Sequence, residues 1–169
     1  KKSIPIRRLS TLTVGVVGLG RIGRNFATKA HALGCNIIGY DPYYKPREED
    51  GVGFITSVSI EELIKQSDVI SIHCPLEGAR NLFNEEAFKN MKNTAFIVNV
   101  ARGGIIDEAA LDRALENGDI AGAALDCVEF EPMAPGSPLF RHENFICTPH
   151  MAWYSEEAKR SLQKKAALE

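Results

Sequence analysis

Val17-Gly18-Leu19-Gly20-Arg21-Ile22-Gly23 is the stretch that decides the fold. The five residues before Gly18, Thr13 to Val17, read as a short buried strand. The stretch after it, Arg21 to about Leu33, reads as a helix with Ile22, Phe26, Ala30 and Leu33 on one face, stopped by Gly34. The pattern G-x-G-x-x-G is weak alone and specific when a strand feeds it and a helix leaves it. The first glycine permits a tight turn, the second lets backbone approach a pyrophosphate, and the third seats the helix close to the sheet. The helix start adds free N–H groups and a partial positive charge. Gly18, Gly20, Arg21, Ile22 and Gly23 are therefore candidate contacts to a dinucleotide. A plain glycine-rich turn is the alternative.

Working outward, strand-like and helix-like runs alternate. Asn36 to Tyr40 is a second strand, Pro42 to Gly53 a polar loop, and Phe54 to Thr56 a short third strand. Ser59 and Glu62 form a capping box. Strands follow at Asp68 to His73, Ala95 to Asn99, Ile120 to Leu125 and Phe145 to Thr148, with Asn84, Asp107 and Ser155 as helix caps and Gly118 as a stop. The long stretch from Asp126 to Asn144, with Pro132, Pro135, Gly136 and Pro138, reads as a functional loop. The expected class is α/β: a Rossmann-type doubly wound, mostly parallel sheet with helices on both faces. Residues 1–155 form the dinucleotide-binding domain, and 156–169 a closing helix.

Asp41 ends the second strand, 18 residues after Gly23. A carboxylate there accepts hydrogen bonds from both ribose hydroxyls of NAD and repels the 2′-phosphate of NADP, which makes NAD the expected cofactor. The alternative is a solvated aspartate before a proline turn.

The 169 residues suffice for one well-buried domain, with 44% hydrophobic and 25% charged residues and a net charge of −2. That balance gives no reason to expect nucleic acid or a membrane surface as partner. The apolar runs are short and broken by charges, so no spanning segment is expected. The start, Lys1-Lys2-Ser3-Ile4-Pro5, lacks the apolar core of a secretory signal, and Leu168-Glu169 reads equally as a cloning remnant or as native sequence. Cys35, Cys74, Cys127 and Cys147 are widely separated with no C-x-x-C pair, so reduced thiols in a cytoplasmic protein are expected and no metal site is.

Three further residues follow strands on what should be one edge of the sheet: Arg102, Glu131 in the long loop, and His150 after Thr148-Pro149. Ligands of doubly wound sheets gather at the carboxyl ends of strands. An arginine fork holds a carboxylate and polarises a carbonyl, and a histidine exchanges a proton with a developing alkoxide. A glutamate bonded to that histidine favours the imidazolium and orients the ring. Each has a plain alternative, a turn for Arg-Gly-Gly and a surface position for a histidine after proline. His31 and His142 read as structural, and His73 as structural or near the cofactor.

These residues resemble the D-isomer-specific 2-hydroxyacid dehydrogenases over about Leu9 to Ala158. The matching stretches include the glycine turn, Gly39-Tyr40-Asp41-Pro42, His73-Cys74-Pro75-Leu76, Asn99-Val100-Ala101-Arg102-Gly103-Gly104-Ile105-Ile106-Asp107, Ala123-Ala124-Leu125-Asp126, Glu131-Pro132 and Thr148-Pro149-His150. The resemblance implies that Arg102, Glu131 and His150 are catalytic. It implies that Asp126 meets the nicotinamide carboxamide, that Cys74 and Pro75 lie on the adenosine side, and that Val100 and Ala101 lie near the nicotinamide. His150-Met151-Ala152-Trp153-Tyr154-Ser155-Glu156 looks like the branch holding the C-terminal-binding protein corepressors and their bacterial relatives, with Trp153 facing the substrate pocket. An aromatic packed under the loop is the alternative for Trp153. Glu77 and Met151 depart from the family pattern.

The implied function is interconversion of D-2-hydroxy acids and 2-keto acids with NAD, in a full-length parent that is a homodimer. The second reading is an NAD(H)-sensing module of the corepressor type. Only twelve residues precede Thr13, so a coenzyme domain lacking most of its substrate domain is expected, with the helix from Glu156 returning to that domain.

Overall fold

The computed structural model describes residues 6–166. The readings for Lys1 to Pro5, for Leu168-Glu169 and for the last residues of the closing helix lie outside these. Seven strands form one parallel sheet in the order β3-β2-β1-β4-β5-β6-β7. They are β1 (Thr13–Val17), β2 (Asn36–Tyr40), β3 (Thr56–Ser57), β4 (Val69–Ile72), β5 (Phe96–Asn99), β6 (Gly122–Leu125) and β7 (Phe145–Cys147). The helices are α1 (Arg21–Ala32), α2 (Ile60–Gln66), α3 (Glu85–Asn90), α4 (Glu108–Asn117) and α5 (Glu156–Ala166). The chain winds outward from β1 to β3, then crosses back to β4 on the other side of β1. The switch point therefore lies between β1 and β4, where a doubly wound sheet opens a crevice at its carboxyl edge.

Alternation along β1 explains the two layers. Val14 and Val16 join Ala27, Ala30 and Ile37 in the α1 layer. Val17 joins Leu63, Ile72, Phe83, Phe88 and Leu111 in the layer of α2, α3 and α4. Phe83 and Phe88 are wholly enclosed, and each such side chain contributes roughly 1.5–3 kcal/mol. A Cβ at Gly15 would stand 2.2 Å from Ser67 Oγ and 2.7 Å from Leu63 Cδ2, so the glycine is what lets the end of α2 lie on β1. Caps act where the sequence places them: Ser59 and Glu62 close a reciprocal box on α2, and Asn84 and Asp107 accept from Ala87 and Ala110 amides.

Two expectations are corrected. The buried face of α1 is Gly23, Ala27 and Ala30, while Ile22 and Leu33 are exposed. The reason is backbone proximity: a Cβ at Gly23 would stand 2.0 Å from the Gly18 carbonyl oxygen. The helix sits so close that only a stripe of small residues fits under it. The third strand covers Thr56–Ser57 instead of Phe54 to Thr56. Val52 and Ile55 turn into the core and Phe54 stacks on His31 at 4.1 Å, so the chain reaches β2 only at Ile38↔Thr56.

Among the described residues, no helix covers one face of the sheet's second half. Phe96 and Ile146 are exposed there, with Val98 and Ala124 half-buried beside them. No residue of α5 is buried among those described. None of the described helices is long and apolar enough to cross a membrane.

Candidate functional site

Because the sheet is all parallel, the segments after β1, β2, β4, β5, β6 and β7 all leave from one edge. At the switch point, Gly18 adopts φ +90°, a conformation side chains resist, and a Cβ on it would meet the Cys74 amide at 2.6 Å. Gly20 differs: a Cβ there meets nothing within 4 Å. The space over Gly20 is open, as a pyrophosphate lying on the turn requires. Arg21 and Ile22 are exposed on the first turn of α1. Arg24 donates to the Leu19 carbonyl oxygen at 2.7 Å and its guanidinium lies 4.7 Å from the Tyr44 ring centre.

Asp41 links the turn to the end of β2. Its carboxylate accepts from the Leu19 amide at 2.7 Å and from the Tyr43 and Tyr44 amides at 2.8 and 3.2 Å. These three bonds leave acceptor capacity for further donors, such as a ribose diol. Beside it a cavity of about 210 Å³ is walled by Gly18, Gly20, Asp41, Cys74 and Pro75, among others. Burial pushes the Cys74 thiol up to about 11. His73, next to it, is driven down to about 4 by burial, so its ring is neutral at ordinary pH and shares a 2.9 Å bond with Ser71 Oγ.

After β5, Asn99 holds the turn that presents Arg102. Its Oδ1 accepts from the Ala101 amide at 3.0 Å and its Nδ2 donates to the Arg102 carbonyl oxygen at 2.8 Å. Val100 is half-buried and Ala101 buried, while Arg102 is exposed, its guanidinium donating to the Ala101 carbonyl oxygen at 2.7 Å. No task is assigned to Asn99 from the sequence; a polar residue ending the apolar run before Arg102 is the signal the sequence offers.

After β6 and β7 the chain brings Glu131 and His150 together. His150 Nδ1 lies 2.8 Å from Glu131 Oε2. The hydrogen bond from His150, with a lesser one from the Val128 amide, outweighs desolvation and holds the Glu131 carboxyl below its ordinary range. The carboxylate is thus the acceptor and Nδ1 the donor. His150 has φ +51°, a conformation costly for a residue with a Cβ and typical of functional sites. Asp126, buried beneath, holds that turn: its carboxylate accepts from Thr148 Oγ1 at 2.6 Å, the Met151 amide at 2.8 Å and the Ala152 amide at 2.9 Å. Burial pushes the Asp126 carboxyl up, but these bonds and the nearby His150 together hold it below its usual value. Its carbonyl oxygen also accepts from the His150 amide at 2.9 Å. A cavity of about 430 Å³ opens beside the pair, lined by Asp126, Val128, Glu131, Met133, Phe140 and His150, among others.

Trp153 is half exposed, with Nε1 donating to the His150 carbonyl oxygen at 3.1 Å and its ring edge-on to Tyr154. It is not packed under the loop. His31 stacks on Phe54 and His142 bonds Asp112 at 2.8 Å, both away from this edge. The four cysteines are free thiols.

Residues 1–152 match the family model described as D-isomer specific 2-hydroxyacid dehydrogenase, NAD binding domain. D-3-phosphoglycerate dehydrogenase of Methanocaldococcus jannaschii is 45% identical over 150 residues, 88% of this chain and 28% of that protein. Its counterpart from Archaeoglobus fulgidus is 40% identical over 148 residues, covering 87% of this chain and 28% of its own length. Among solved structures, D-lactate dehydrogenase of Aquifex aeolicus with NAD and lactic acid superposes with a TM-score of 0.87 at 32% identity, covering 98% of this chain and 54% of that one. The chain therefore spans just over a quarter of the length of these curated relatives.

Proposed function

Because the chain belongs to the D-isomer-specific 2-hydroxyacid dehydrogenase family and carries its NAD-binding domain, we propose that its protein interconverts a D-2-hydroxy acid and a 2-keto acid. The observation that carries this reading is the 2.8 Å pair of His150 and Glu131 on the sheet edge that also bears the glycine turn. Bound NADH supplies the hydride to the keto carbon. In that direction His150 gives a proton to the carbonyl oxygen as negative charge develops there, and takes it back in the reverse. Glu131, held ionised, favours the imidazolium and fixes the ring. Arg102, on a turn stiffened by Asn99, swings its guanidinium from the Ala101 carbonyl to hold the substrate carboxylate. Asp126 anchors the His150 turn and takes the nicotinamide carboxamide side of the site.

The glycine turn with Arg21 and Ile22 receives the pyrophosphate, Asp41 the ribose, and Cys74 and Pro75 the adenosine side. Val100, Ala101 and Trp153 border the nicotinamide. The domain unit ends near Ser155, and α5 reaches to a second, substrate-holding domain, in keeping with its lack of buried residues. The uncovered sheet face at Phe96 and Ile146 supports association of two copies, and the free thiols suit the reducing cytoplasm.

A panel of 2-keto acids with NADH, assayed on the protein that carries this domain together with its substrate domain, tests the reading. Saturable oxidation of NADH by at least one 2-keto acid, yielding the D-hydroxy acid, is expected. Tight NADH binding with no turnover of any 2-keto acid would overturn it.

A further inference from the structure

The proposed acid–base pair shares its floor with a thiol that the reaction does not use. Cys127 directly follows Asp126 and is 1% exposed. Its Sγ donates a hydrogen bond to the Ala101 carbonyl oxygen at 3.5 Å. One ligand atom each from Cys127, Glu131 and His150 lie within 4.8 Å of one another. We propose that these three side chains form a binding site for a zinc-class cation, which enters between the His150 ring and the Glu131 carboxylate and is held from beneath by Cys127.

The donor set is the one such an ion selects. Zinc takes thiolate sulfur, imidazole nitrogen and carboxylate oxygen tetrahedrally, at about 2.0–2.3 Å. Those bond lengths place ligand atoms roughly 3.3–3.6 Å apart. Glu131 and His150 stand on exposed loops and can part from their 2.8 Å contact to admit an ion while shifting toward Cys127, which follows the end of β6. The proton on Nδ1 and the proton of the thiol leave to solvent. Two anionic ligands and one neutral ring then offset the double positive charge, and a water completes the fourth position. Sulfur in the set disfavours magnesium and calcium, which prefer oxygen.

An ion at this place takes the nitrogen that otherwise faces Glu131. The imidazolium then loses both its proton and its partner, so an occupied site is an inhibited one. The site shares the Glu131–His150 pair with the proposed function but does not depend on its chemistry.

Cobalt(II) is the probe. Titrated into this chain, it should raise a sulfur-to-cobalt charge-transfer band in the near ultraviolet, and zinc should abolish that band by displacement. Cys127→Ser should remove the band and weaken zinc binding at least as much as loss of an outer-shell partner does, about 10–100-fold. Cys147→Ser should leave both unchanged. Cys127→Ala serves as a second variant, with far-ultraviolet circular dichroism reporting the fold of each. No band, or a band that survives loss of the Cys127 thiol in a folded variant, would overturn the site. A parallel NADH titration, with the keto-acid assay run on the protein that carries the substrate domain, keeps the two readings apart: NADH binding and turnover without the band sinks only the metal site, and the band without turnover in that longer protein sinks only the proposed function.

Discussion

A Cβ on Gly103 would stand 1.9 Å from the carbonyl oxygen of Val128. The turn that presents Arg102 is thus pressed directly against the loop that presents Glu131. Gly103→Ala must push the two apart, and no flexible side chain can give way, since the obstacle is backbone. Overpacking of this kind costs about 1–3 kcal/mol. Denaturant unfolding should show that loss. Turnover should fall beyond what the stability change explains, because Arg102 and Glu131 separate. Full stability and activity in Gly103→Ala would show that the loops are looser than their contact suggests.

Gly20 and Gly23 belong to one motif but should fail differently. Gly20 has open space where a side chain would be, whereas Gly23 would strike the Gly18 carbonyl at 2.0 Å. Gly20→Ala should keep stability within about 0.5 kcal/mol. It should weaken NADH by tenfold or more, about 1.4 kcal/mol, because a methyl group occupies the pyrophosphate's place. Gly23→Ala should lose stability and NADH binding together. Calorimetric NADH titration and thermal melts of both variants decide this. Undiminished NADH affinity in Gly20→Ala would refute the phosphate placement.

Asp41 predicts the choice between cofactors. Its carboxylate accepts from the Leu19 amide, so a 2′-phosphate on the same ribose would face a fixed negative charge. NADPH should bind roughly tenfold or more weaker than NADH. Asp41→Asn keeps an oxygen for the Leu19 amide and removes the charge, so the preference should shrink, at some cost in stability because Nδ2 then faces the Tyr43 and Tyr44 amides. Equal affinity for both cofactors in the unaltered chain would sink this prediction.

The glycine turn and the catalytic candidates were legible because their constraints are local or positional. Gly18 is demanded by its φ of +90°, and Arg102, Glu131 and His150 each follow a strand. The pairing of His150 with Glu131 followed from strand ends sharing an edge, and from the resemblance. What stayed hidden depends on residues far apart in the chain. Periodicity put Ile22 and Leu33 on the buried face of α1, and only the approach of Gly23 to Gly18 shows why Ala27 and Ala30 take it. Likewise nothing local tells that Asp126 closes the His150 turn through amides 25 and 26 residues later. The positive φ of His150 sits on that anchored turn and leaves no mark in the sequence.

His73 sets a pH dependence of stability. Burial lowers it to about 4 from an ordinary value of 6.5. A lowered histidine favours folding while neutral. The contribution is complete above the unfolded value and is lost as pH falls towards the folded one, because the unfolded chain takes up the proton first. Between pH 7 and 5 the loss should be roughly 2 kcal/mol. The anchoring carboxylates of Glu131 and Asp126 sit below their ordinary range and weaken only at more acid pH. Urea unfolding at the two pH values measures the loss, and His73→Gln should flatten it. A decline of the same size in His73→Gln would assign it elsewhere.

His150 and Glu131 should separate in their effects on turnover, measured in the protein with its substrate domain. His150→Ala removes the group that moves the proton and should lower turnover by about 10²–10⁴-fold with NADH still bound. Glu131→Gln keeps a hydrogen-bond acceptor opposite Nδ1 but removes the charge that stabilises the imidazolium. Reduction of a keto acid needs the protonated ring, so its fall at high pH should begin at lower pH in Glu131→Gln. Oxidation of the hydroxy acid needs the neutral ring, so its rise should move to lower pH as well. A parallel shift of both profiles is the mark of a changed proton affinity at one group; a uniform loss without a shift would mean that Glu131 only shapes the loop. If His150→Ala retained near-normal turnover, the proton would have to come from another donor, and the assignment of the pair would be abandoned.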